Sequence, residues 1–335
     1  MKRAVSTLIF STFVFIFCFL TSCKQKQYQF NEGYVFGTVY HFKYLAEDDL
    51  KEEIENELKK FDLSLSTFNP NSTITKINHY GTEGFDLNND PWTLKVIEKS
   101  LEFSKISEGA FDITVAPLVN AWGFGFEKEA DVTQEYIDSL LKFVGYKLIK
   151  LENGILYKSD PRIMLDASAI AKGYSCDVVA EFLKNKGITD YMIEIGGEMC
   201  LSGKNVNGGD WRIGISTPND DSTSINDEWK EKITITDKCL ATSGNYRRFY
   251  IKDGKKFAHT IDPISGYPVQ HSLLSASVIA NDCLTADALA TAFMVMGVEK
   301  ALSLAESLPD VEALFICSED STTFVKTTSG MAKWH

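Results

Sequence analysis

The chain has 335 residues, of which 44% are hydrophobic and 24% are charged, a composition typical of folded globular proteins rather than disordered ones. Its net charge is −12 and no basic patch is visible, which argues against nucleic acid as a partner. An acidic chain that binds a phosphorylated ligand needs local cations, supplied by lysine, arginine or a metal ion.

The N-terminus has the pattern of a secretory signal. Lys2 and Arg3 precede an apolar run over residues 4–20, and the sequence Leu-Thr-Ser-Cys follows at 20–23. A cysteine directly after Leu-Thr-Ser resembles the lipobox of bacterial lipoproteins. The alternative is an uncleaved transmembrane anchor, for which an apolar run of about 17 residues is at the short limit.

From this pattern we predict three segments. Residues 1–22 are a lipoprotein signal peptide, residues 23–32 are a polar tether that begins with lipidated Cys23, and residues 33–335 form a single domain. The protein is then exported and held on the periplasmic side of a bacterial membrane.

Helix and strand patterns follow one another irregularly after the tether. Aromatic residues alternate with small or polar ones over 34–44, which predicts a strand, and a helix from residue 48 to 61 has one apolar face. Further helices are predicted over 91–107, 133–143, after 166, 283–296 and 298–307, and further strands over 146–151, 154–158, 163–165, 190–195, 198–202, 211–216, 232–236, 247–251, 256–260, 272–280, 311–317 and 322–327. Without a regular βαβ alternation, the order favours an α+β fold with a mixed, largely antiparallel sheet flanked by helices.

Five cysteines of the predicted domain have no pattern of their own. They are far apart, odd in number and without the C-x-x-C spacing of metal ligands. We therefore expect buried single thiols and no disulfide framework. These residues are Cys176, Cys200, Cys239, Cys283 and Cys317.

The most informative stretch runs from Asp166 to Asp177 and reads Asp-Ala-Ser-Ala-Ile-Ala-Lys-Gly-Tyr-Ser-Cys-Asp. It places Asp166 at the end of a strand over 163–165, and Ala169 and Lys172 in the first turn of a helix. Unpaired backbone N–H groups and the positive helix dipole, together with Lys172, suit an anion such as a phosphate. The alternative is an ordinary strand-to-helix turn whose alanines pack on a sheet.

A second stretch, Thr285 to Phe293, has metal-binding character. Asp287 and Thr291 are four residues apart, so both face one side of the predicted helix. A carboxylate and a hydroxyl one turn apart can ligate a hard cation such as Mg²⁺. The alternative is a polar stripe facing solvent, or a bond from the threonine to the backbone.

Two further stretches carry groups suited to chemistry. His259 lies at a predicted strand end before a Pro/Gly turn, where it suits a general base or merely a surface or capping residue. Ser-Gly-Asn at 243–245 is a turn signal that places Tyr246 and the arginines 247 and 248 at the start of a strand.

Together with Gly109 to Gly125, these stretches resemble the ApbE family, the FAD:protein FMN transferases, over residues 33 to 330. The matching runs, in the family's order, are Gly-Ala-Phe-Asp-Ile-Thr (109–114), Pro-Leu-Val-Asn-x-Trp-Gly-Phe-Gly (117–125), Asp-x-x-x-Ile-Ala-Lys-Gly-Tyr (166–174), Ile-Gly-Gly-Glu (195–198), Thr-Ser-Gly-Asn-Tyr (242–246), His-x-Ile-Asp-Pro-x-x-Gly-Tyr-Pro-Val (259–269) and Thr-Ala-Asp-Ala-Leu-Ala-Thr-Ala (285–292).

The resemblance implies a role for individual residues. Asp287 and Thr291 match the side-chain ligands of Mg²⁺, and Ala169 matches a backbone ligand. We expect His259 to act as the general base. FAD contacts are implied for Phe36, Phe68, Ala110, Phe111, Asp112, Asp166, Lys172, Tyr246 and Ile261.

Two of these positions depart from the family's pattern. Phe36 stands where the family carries Met, and Phe68 stands where many members carry Tyr. Both keep an apolar surface for stacking on a planar ring, but a hydroxyl contact at 68 is lost.

The resemblance implies Mg²⁺-dependent transfer of FMN from FAD to a Thr or Ser hydroxyl of an exported redox protein, with release of AMP. In the family, the acceptor carries a Ser-Gly-Ala-Thr-like motif on redox-pump subunits. Two alternatives stay open: an Mg²⁺-dependent FAD pyrophosphatase that yields FMN and AMP, and a non-catalytic FAD-binding lipoprotein. The sequence does not separate water from a protein hydroxyl as the nucleophile, because the acceptor is in another chain.

Overall fold

An eight-stranded sheet forms the centre of the computed structural model, which describes residues 25–125, 132–216, 229–245, 249–252, 255–319 and 322–334. In chain order the strands are β1 (Gln27–Val35), β2 (Thr38–Ala46), β3 (Phe85–Asp86), β4 (Ile149–Glu152), β5 (Ile155–Lys158), β6 (Tyr191–Ile195), β7 (Glu198–Ser202), β8 (Trp211–Ser216), β9 (Trp229–Ile235), β10 (Lys238–Gly244), β11 (Phe249–Lys252), β12 (Lys255–Ala258), β13 (Leu273–Ala280), β14 (Glu312–Glu319) and β15 (Thr322–Thr327).

Eight α-helices lie within the described ranges. They are α1 (Lys51–Leu65), α2 (Thr73–His79), α3 (Pro91–Ile106), α4 (Ala116–Ala121), α5 (Gln134–Leu140), α6 (Ala171–Asn185), α7 (Cys283–Met296) and α8 (Val298–Ser307). None of them is long and apolar enough to span a bilayer. The predicted signal, residues 1–22, and Cys23 lie outside the described residues.

The strands of the large sheet follow the order β1-β2-β6-β7-β10-β13-β14-β15, and each neighbouring pair is antiparallel. Three small sheets, β3-β5-β4, β8-β9 and β11-β12, are also antiparallel. The predicted α+β class with a largely antiparallel sheet flanked by helices is confirmed.

Helices α6 and α7 pack against each other and against the sheet, and Gly173 permits their close approach. A Cβ atom on Gly173 would lie 2.2 Å from the backbone oxygen of Cys283 and 2.6 Å from the Cβ of Asp287. On the same helix α7, Leu289 and Phe293 are buried in the core. The contact therefore fixes the start of α6 beside the first two turns of α7.

The predicted strand over 34–44 is wrong in its extent, because the chain reverses at its start. Phe36 and Gly37 both have positive φ angles, +50° and +76°, and form the turn between β1 and β2. Strand β1 also includes residues that we assigned to the tether. The predicted tether over 23–32 therefore gives way to paired sheet structure from Gln27 onwards.

The predicted strand over 163–165 is also wrong. The segment is buried and extended, but the side chain of Asn78 takes the place of a neighbouring strand. Its Nδ2 donates to the carbonyl of Leu165 at 2.9 Å, and its Oδ1 accepts from the amide of Leu165 at 2.7 Å. A side-chain amide thus satisfies the backbone groups that a ladder would otherwise pair.

The sequence does not predict strand β10, and Ser-Gly-Asn at 243–245 instead predicts a turn at its end. Residues 239–244 instead pair with β13 in the middle of the sheet. Serine and glycine are poor strand formers, and only the neighbouring strands make this position extended.

Candidate functional site

A cavity of about 320 Å³ lies where α6 begins, between β7, the end of β10, α7 and the loop after β12. It collects most of the residues predicted to carry the function, although they are spread over 182 positions of the chain. The predicted residues that line it are Ala110, Phe111, Asp112, Asp166, Ala169, Lys172, His259, Ile261, Asp287 and Thr291.

Three charged side chains meet at the floor of this cavity. The Nζ of Lys172 lies 2.6 Å from Oε1 of Glu198, which is 2% exposed, and Asp287 is 3% exposed. Burial raises the pKa of the Glu198 carboxyl, although the Lys172 ammonium opposes the rise. Burial likewise raises the pKa of Asp287. Two buried carboxylates next to one ammonium leave negative charge uncompensated, and a bound cation would neutralise it.

Lys172 itself stays charged in this setting. Burial alone would lower the pKa of its ammonium, but the charges of Glu198 and Asp287 raise it above its ordinary value. The sequence predicts the need for such a local cation in an acidic chain, and Lys172 supplies it.

The oxygen atoms around Asp287 suit a hard cation. Oδ2 of Asp287 accepts from the amide of Gly173 at 2.9 Å, which fixes the orientation of the carboxylate. The hydroxyl of Thr291, one turn further along α7, lies 3.1 Å from that of Ser243. Among the described residues, no donor reaches the carbonyl of Ala169, because the amide of Gly173 points to Asp287 instead. A carboxylate, a hydroxyl and a carbonyl are donors that Mg²⁺ accepts, so these residues fit the predicted ion.

Two other predicted carboxylates are engaged in shaping loops. Asp166 accepts from the amide of Ser168 at 2.8 Å, and its own amide donates to the carbonyl of Ile113 at 2.8 Å. Asp112 accepts from the amide of Tyr146 at 2.6 Å, and burial raises the pKa of its carboxyl. The two loops are thereby joined along one wall of the cavity.

His259 follows β12 directly and lines the cavity. Its ring meets that of Phe124 edge-on, with 6.4 Å between the centroids. The next residues are fixed by a β-bridge between Ile261 and Pro268. The structure places the histidine where the sequence predicts it, at the end of a strand and before a turn.

A second cavity, of about 520 Å³, adjoins the first. It is lined by Phe36 and Phe68, and it shares Ser168 and Lys172 with the first cavity. Phe36 packs on Phe61, with 5.8 Å between the ring centroids, whereas Phe68 is 67% exposed. The predicted site residues therefore fall into two chambers that meet at Lys172.

Two predicted site residues, Tyr246 and Cys23, lie outside the described residues, as do the arginines 247 and 248. Conversely, the sequence assigns no role to Glu198, although the matching run at 195–198 contains it. A lone glutamate after two glycines is not a distinctive signal, and only the position of β7 in the sheet places it against Lys172.

Known proteins share this fold and are similar to this chain in sequence. The model of the ApbE family matches residues 36–315. The FAD:protein FMN transferase of Vibrio cholerae serotype O1 is 37% identical over 298 residues, which are 86% of this chain and 87% of that protein. The protein of the same name from Haemophilus influenzae is 36% identical over 314 residues, which are 90% of each.

Solved structures agree with the sequence comparison. The flavin transferase ApbE from Vibrio cholerae superposes with a TM-score of 0.84 at 35% identity, covering 92% of this chain and 100% of that one. The apbe protein from Thermotoga maritima gives a TM-score of 0.81 at 26% identity, covering 92% and 99%. Fold and motifs thus define one class of flavin-related proteins. The chain belongs to the ApbE family, and the resemblance that the motifs predicted is confirmed.

Proposed function

We propose that this protein transfers FMN from FAD to a Thr or Ser hydroxyl of a partner protein, with Mg²⁺ as the metal and AMP as the leaving product. Relatives over most of the chain are FAD:protein FMN transferases, which supports the flavin chemistry. The observation that carries the proposal is the pair of chambers joined at Lys172. FAD has two planar ends linked by a pyrophosphate, and an ammonium at the junction is placed for the negatively charged link.

Each of the two chambers offers apolar surface to one end of FAD in the proposed complex. Phe36 and Phe68 offer apolar ring surface in one chamber. Phe111 and Ile261 offer apolar surface in the other, and Ala110 leaves room for close approach. The loops held by Asp112 and Asp166 form the wall that a bound FAD contacts.

The proposed reaction is a displacement at phosphorus. The hydroxyl oxygen of the acceptor forms a bond to the FMN-side phosphorus of FAD, and the bond from that phosphorus to the bridging oxygen breaks. AMP leaves with the bridging oxygen, and His259 takes the proton of the hydroxyl. Such a reaction depends mainly on positioning and on charge stabilisation, so a short set of residues suffices.

Asp287, Thr291 and the carbonyl of Ala169 would hold the Mg²⁺ ion. The bound ion would supply neutralisation of the pyrophosphate charge and of the charge that develops on it. Lys172, held by Glu198 at 2.6 Å, adds a second positive charge from the protein itself.

The test separates transfer from two other outcomes. Protein lacking residues 1–23 is mixed with FAD, Mg²⁺ and an acceptor domain that carries Ser-Gly-Ala-Thr, and flavin and adenine nucleotides are resolved by chromatography. We expect AMP to appear in step with protein-bound flavin, and EDTA to stop both. Free FMN with AMP, and no bound flavin, would instead indicate a pyrophosphatase; intact FAD throughout would indicate a binding protein.

His259→Ala tests the assigned base. We expect FAD binding to be retained and single-turnover transfer to slow by about 10²–10⁴-fold, the usual contribution of a general base. The control is His79→Ala, because His79 is an exposed residue at the end of α2 whose Nδ1 bonds a backbone carbonyl. An unchanged transfer rate in His259→Ala would assign the proton to another group.

The anchor is a further part of the proposal, supported by the Leu-Thr-Ser-Cys run at 20–23. Lipidated Cys23 would hold the domain on the periplasmic side of a bacterial membrane, where exported redox subunits with the acceptor motif would meet it. We expect the full chain expressed in bacteria to fractionate with membranes and to carry a lipid mass on Cys23. Cys23→Ala should abolish the lipid mass. Unchanged protein that is membrane-bound and still carries residues 1–22 would contradict the lipoprotein and indicate a transmembrane anchor.

A further inference from the structure

The prediction of buried single thiols without a disulfide is confirmed for the five domain cysteines, but four of them lie together although they are far apart in the sequence. Cys176, Cys200, Cys239 and Cys283 are all free and buried, and they lie close enough for each thiol's pKa to depend on at least one of the others. Cys200 and Cys239 are directly opposite each other on the antiparallel strands β7 and β10. The fold gathers them from four separate elements, which the spacing in the chain does not reveal.

Asp177 joins this cluster with a carboxylate whose orientation is fixed. Its Oδ1 accepts from the amide of Cys283 at 2.8 Å, and its Oδ2 accepts from the amide of Leu284 at 2.8 Å. The thiols of Cys200 and Cys239 approach Oδ1 at 3.2 and 3.8 Å. The side-chain donor atoms of Asp177, Cys200 and Cys239 all lie within 4.8 Å of one another.

These separations fit a tetrahedral metal ion. With Zn–S of about 2.3 Å and Zn–O of about 2.0 Å, a tetrahedral site places sulfur and oxygen ligands about 3.5 Å apart. The observed 3.2 and 3.8 Å lie on either side of that value. The two backbone amides that hold Asp177 are the outer contacts that orient a ligating carboxylate.

The cluster is open on one side. A cavity of about 350 Å³ is lined by Asp177, Cys200 and Cys239, so an ion has a path from solvent and a water molecule has a place as fourth ligand. Three lysines line this cavity, and three acidic residues line it besides Asp177. The lysines are Lys95, Lys184 and Lys238, and the acidic residues are Glu181, Asp237 and Asp282. The chamber that carries Asp287 has oxygen donors, whereas this cavity offers thiols.

We propose that Asp177, Cys200 and Cys239 form a binding site for Zn²⁺, separate from the oxygen-lined site at Asp287. Thiolates select zinc over magnesium because they are soft ligands. Binding releases the protons of the two thiols and forms two Zn–S bonds and one Zn–O bond, with no change of oxidation state. The site ties α6 to β7 and β10, the elements that also carry Lys172, Glu198 and Ser243.

The test uses Co²⁺ as a coloured substitute for Zn²⁺ on the reduced, metal-free protein without residues 1–23, in the absence of oxygen. With excess Mg²⁺ present to fill the oxygen-lined site at Asp287, we expect a thiolate-to-cobalt charge-transfer band that saturates at one Co²⁺ per chain and is removed by Zn²⁺. Cys200→Ser and Cys239→Ser should each weaken binding by at least about tenfold. Cys317→Ser is the matched control, since Cys317 is buried on β14, outside this cluster, and should leave the band unchanged.

A second measurement needs no variant. Alkylation by iodoacetamide is mapped by mass spectrometry on the unmodified chain with and without Zn²⁺, and Zn²⁺ should slow modification of Cys200 and Cys239. The proposal is overturned if wild-type protein gives no charge-transfer band, if the band survives both serine variants, or if Zn²⁺ leaves the alkylation rates unchanged. FAD binding without Zn²⁺ shows that the reduced protein is folded in either case.

Discussion

At the scale of single residues, Asp287 has two tasks that a change of side chain can separate. Its Oδ2 accepts from the Gly173 amide and so joins α7 to the start of α6. In the proposed reaction, the same carboxylate holds Mg²⁺. The residue is 3% exposed, so an unpaired amide left by its removal would find little water.

Asp287→Asn keeps an oxygen acceptor for the Gly173 amide but removes the charge. We expect unfolding free energy close to that of the wild type and a marked loss of Mg²⁺-dependent transfer. Asp287→Ala should lose transfer and, in addition, about 1–3 kcal/mol of stability because a buried amide is left without its acceptor. Mg²⁺ titrations of transfer and urea unfolding measure the two effects; full transfer by Asp287→Asn would remove this residue from the metal site.

Glu198 shows what single-residue reasoning from the sequence misses. The sequence predicts binding roles for Lys172 and Asp287. Lys172 lies at a predicted helix start, and Asp287 lies one helical turn from Thr291. Nothing in the sequence marks Glu198 as their partner, since it lies on strand β7, 26 residues from Lys172, whereas Lys172 and Asp287 lie on helices. The carboxylate's role depends on the order of strands in the sheet, which composition and periodicity do not fix.

Glu198→Gln removes a charge at nearly constant shape. We expect weaker FAD binding and slower transfer, because a neutral amide no longer holds the Lys172 ammonium at the junction of the two chambers. Glu181→Gln, on the exposed face of α6, is the control and should behave as wild type. Isothermal titration with FAD and a single-turnover assay give both quantities, and wild-type values for both in Glu198→Gln would exclude the role.

At the scale of elements, the contact between α6 and α7 decides the geometry of the site. The helices themselves follow from the sequence, since α3, α7 and α8 agree with the predicted ranges within one or two residues. The packing of α6 on α7 does not follow from the sequence, because it depends on Gly173, whose neighbours Cys283 and Asp287 are more than 100 residues away in the chain. The missed strand β10 and the wrongly predicted strand over 163–165 have the same cause: tertiary partners override local preference.

Gly173→Ala tests this contact. The added methyl meets backbone atoms of α7, which cannot move as a flexible side chain can, so the helices must separate. We expect a loss of about 1–3 kcal/mol in unfolding free energy and a raised Kd for Mg²⁺ and FAD. Gly209→Ala is the control, because its added Cβ meets only Asn205 at 3.6 Å. Equal stability of the two variants would contradict the close packing.

Lys158→Met tests the segment that leads to Asp166. The buried ammonium of Lys158 donates to the carbonyls of Ile77, Pro161 and Ile163 at 2.9, 3.2 and 3.1 Å. Methionine fills similar volume but leaves these carbonyls without their donor, and we expect a loss of about 2–4 kcal/mol in urea unfolding. The exposed Lys150, paired with Glu152, serves as the control for Lys→Met. A loss no larger than in Lys150→Met would show that water replaces the ammonium.

At the scale of the whole molecule, the two chambers bring together the hairpin turn of β1–β2 and the loops around α7. The sequence predicts each group of residues, and the family resemblance predicts that they share one ligand. The division of these residues into two chambers depends on the chain reversal at Phe36. The sequence does not reveal this reversal, because the alternation over residues 34–44 predicts a single strand. The turn places Phe36 beside Lys172 rather than along the face of a strand.

Phe68→Ala tests whether one ligand spans both chambers. FMN and AMP are the two halves of FAD, so a change confined to one chamber should weaken FAD and only one of the halves. Fluorescence or calorimetric titration with all three ligands measures this. Equal weakening of FMN and AMP would mean that the two halves do not occupy separate chambers.

The mass of the acceptor tests the central claim most directly. The acceptor domain with Ser-Gly-Ala-Thr is incubated with the protein lacking residues 1–23, FAD and Mg²⁺, and is then weighed intact and after proteolysis. We predict a gain equal to FMN minus water on the threonine or serine of that motif, absent with EDTA and in Asp287→Asn. An acceptor of unchanged mass while FAD is consumed would contradict the transferase.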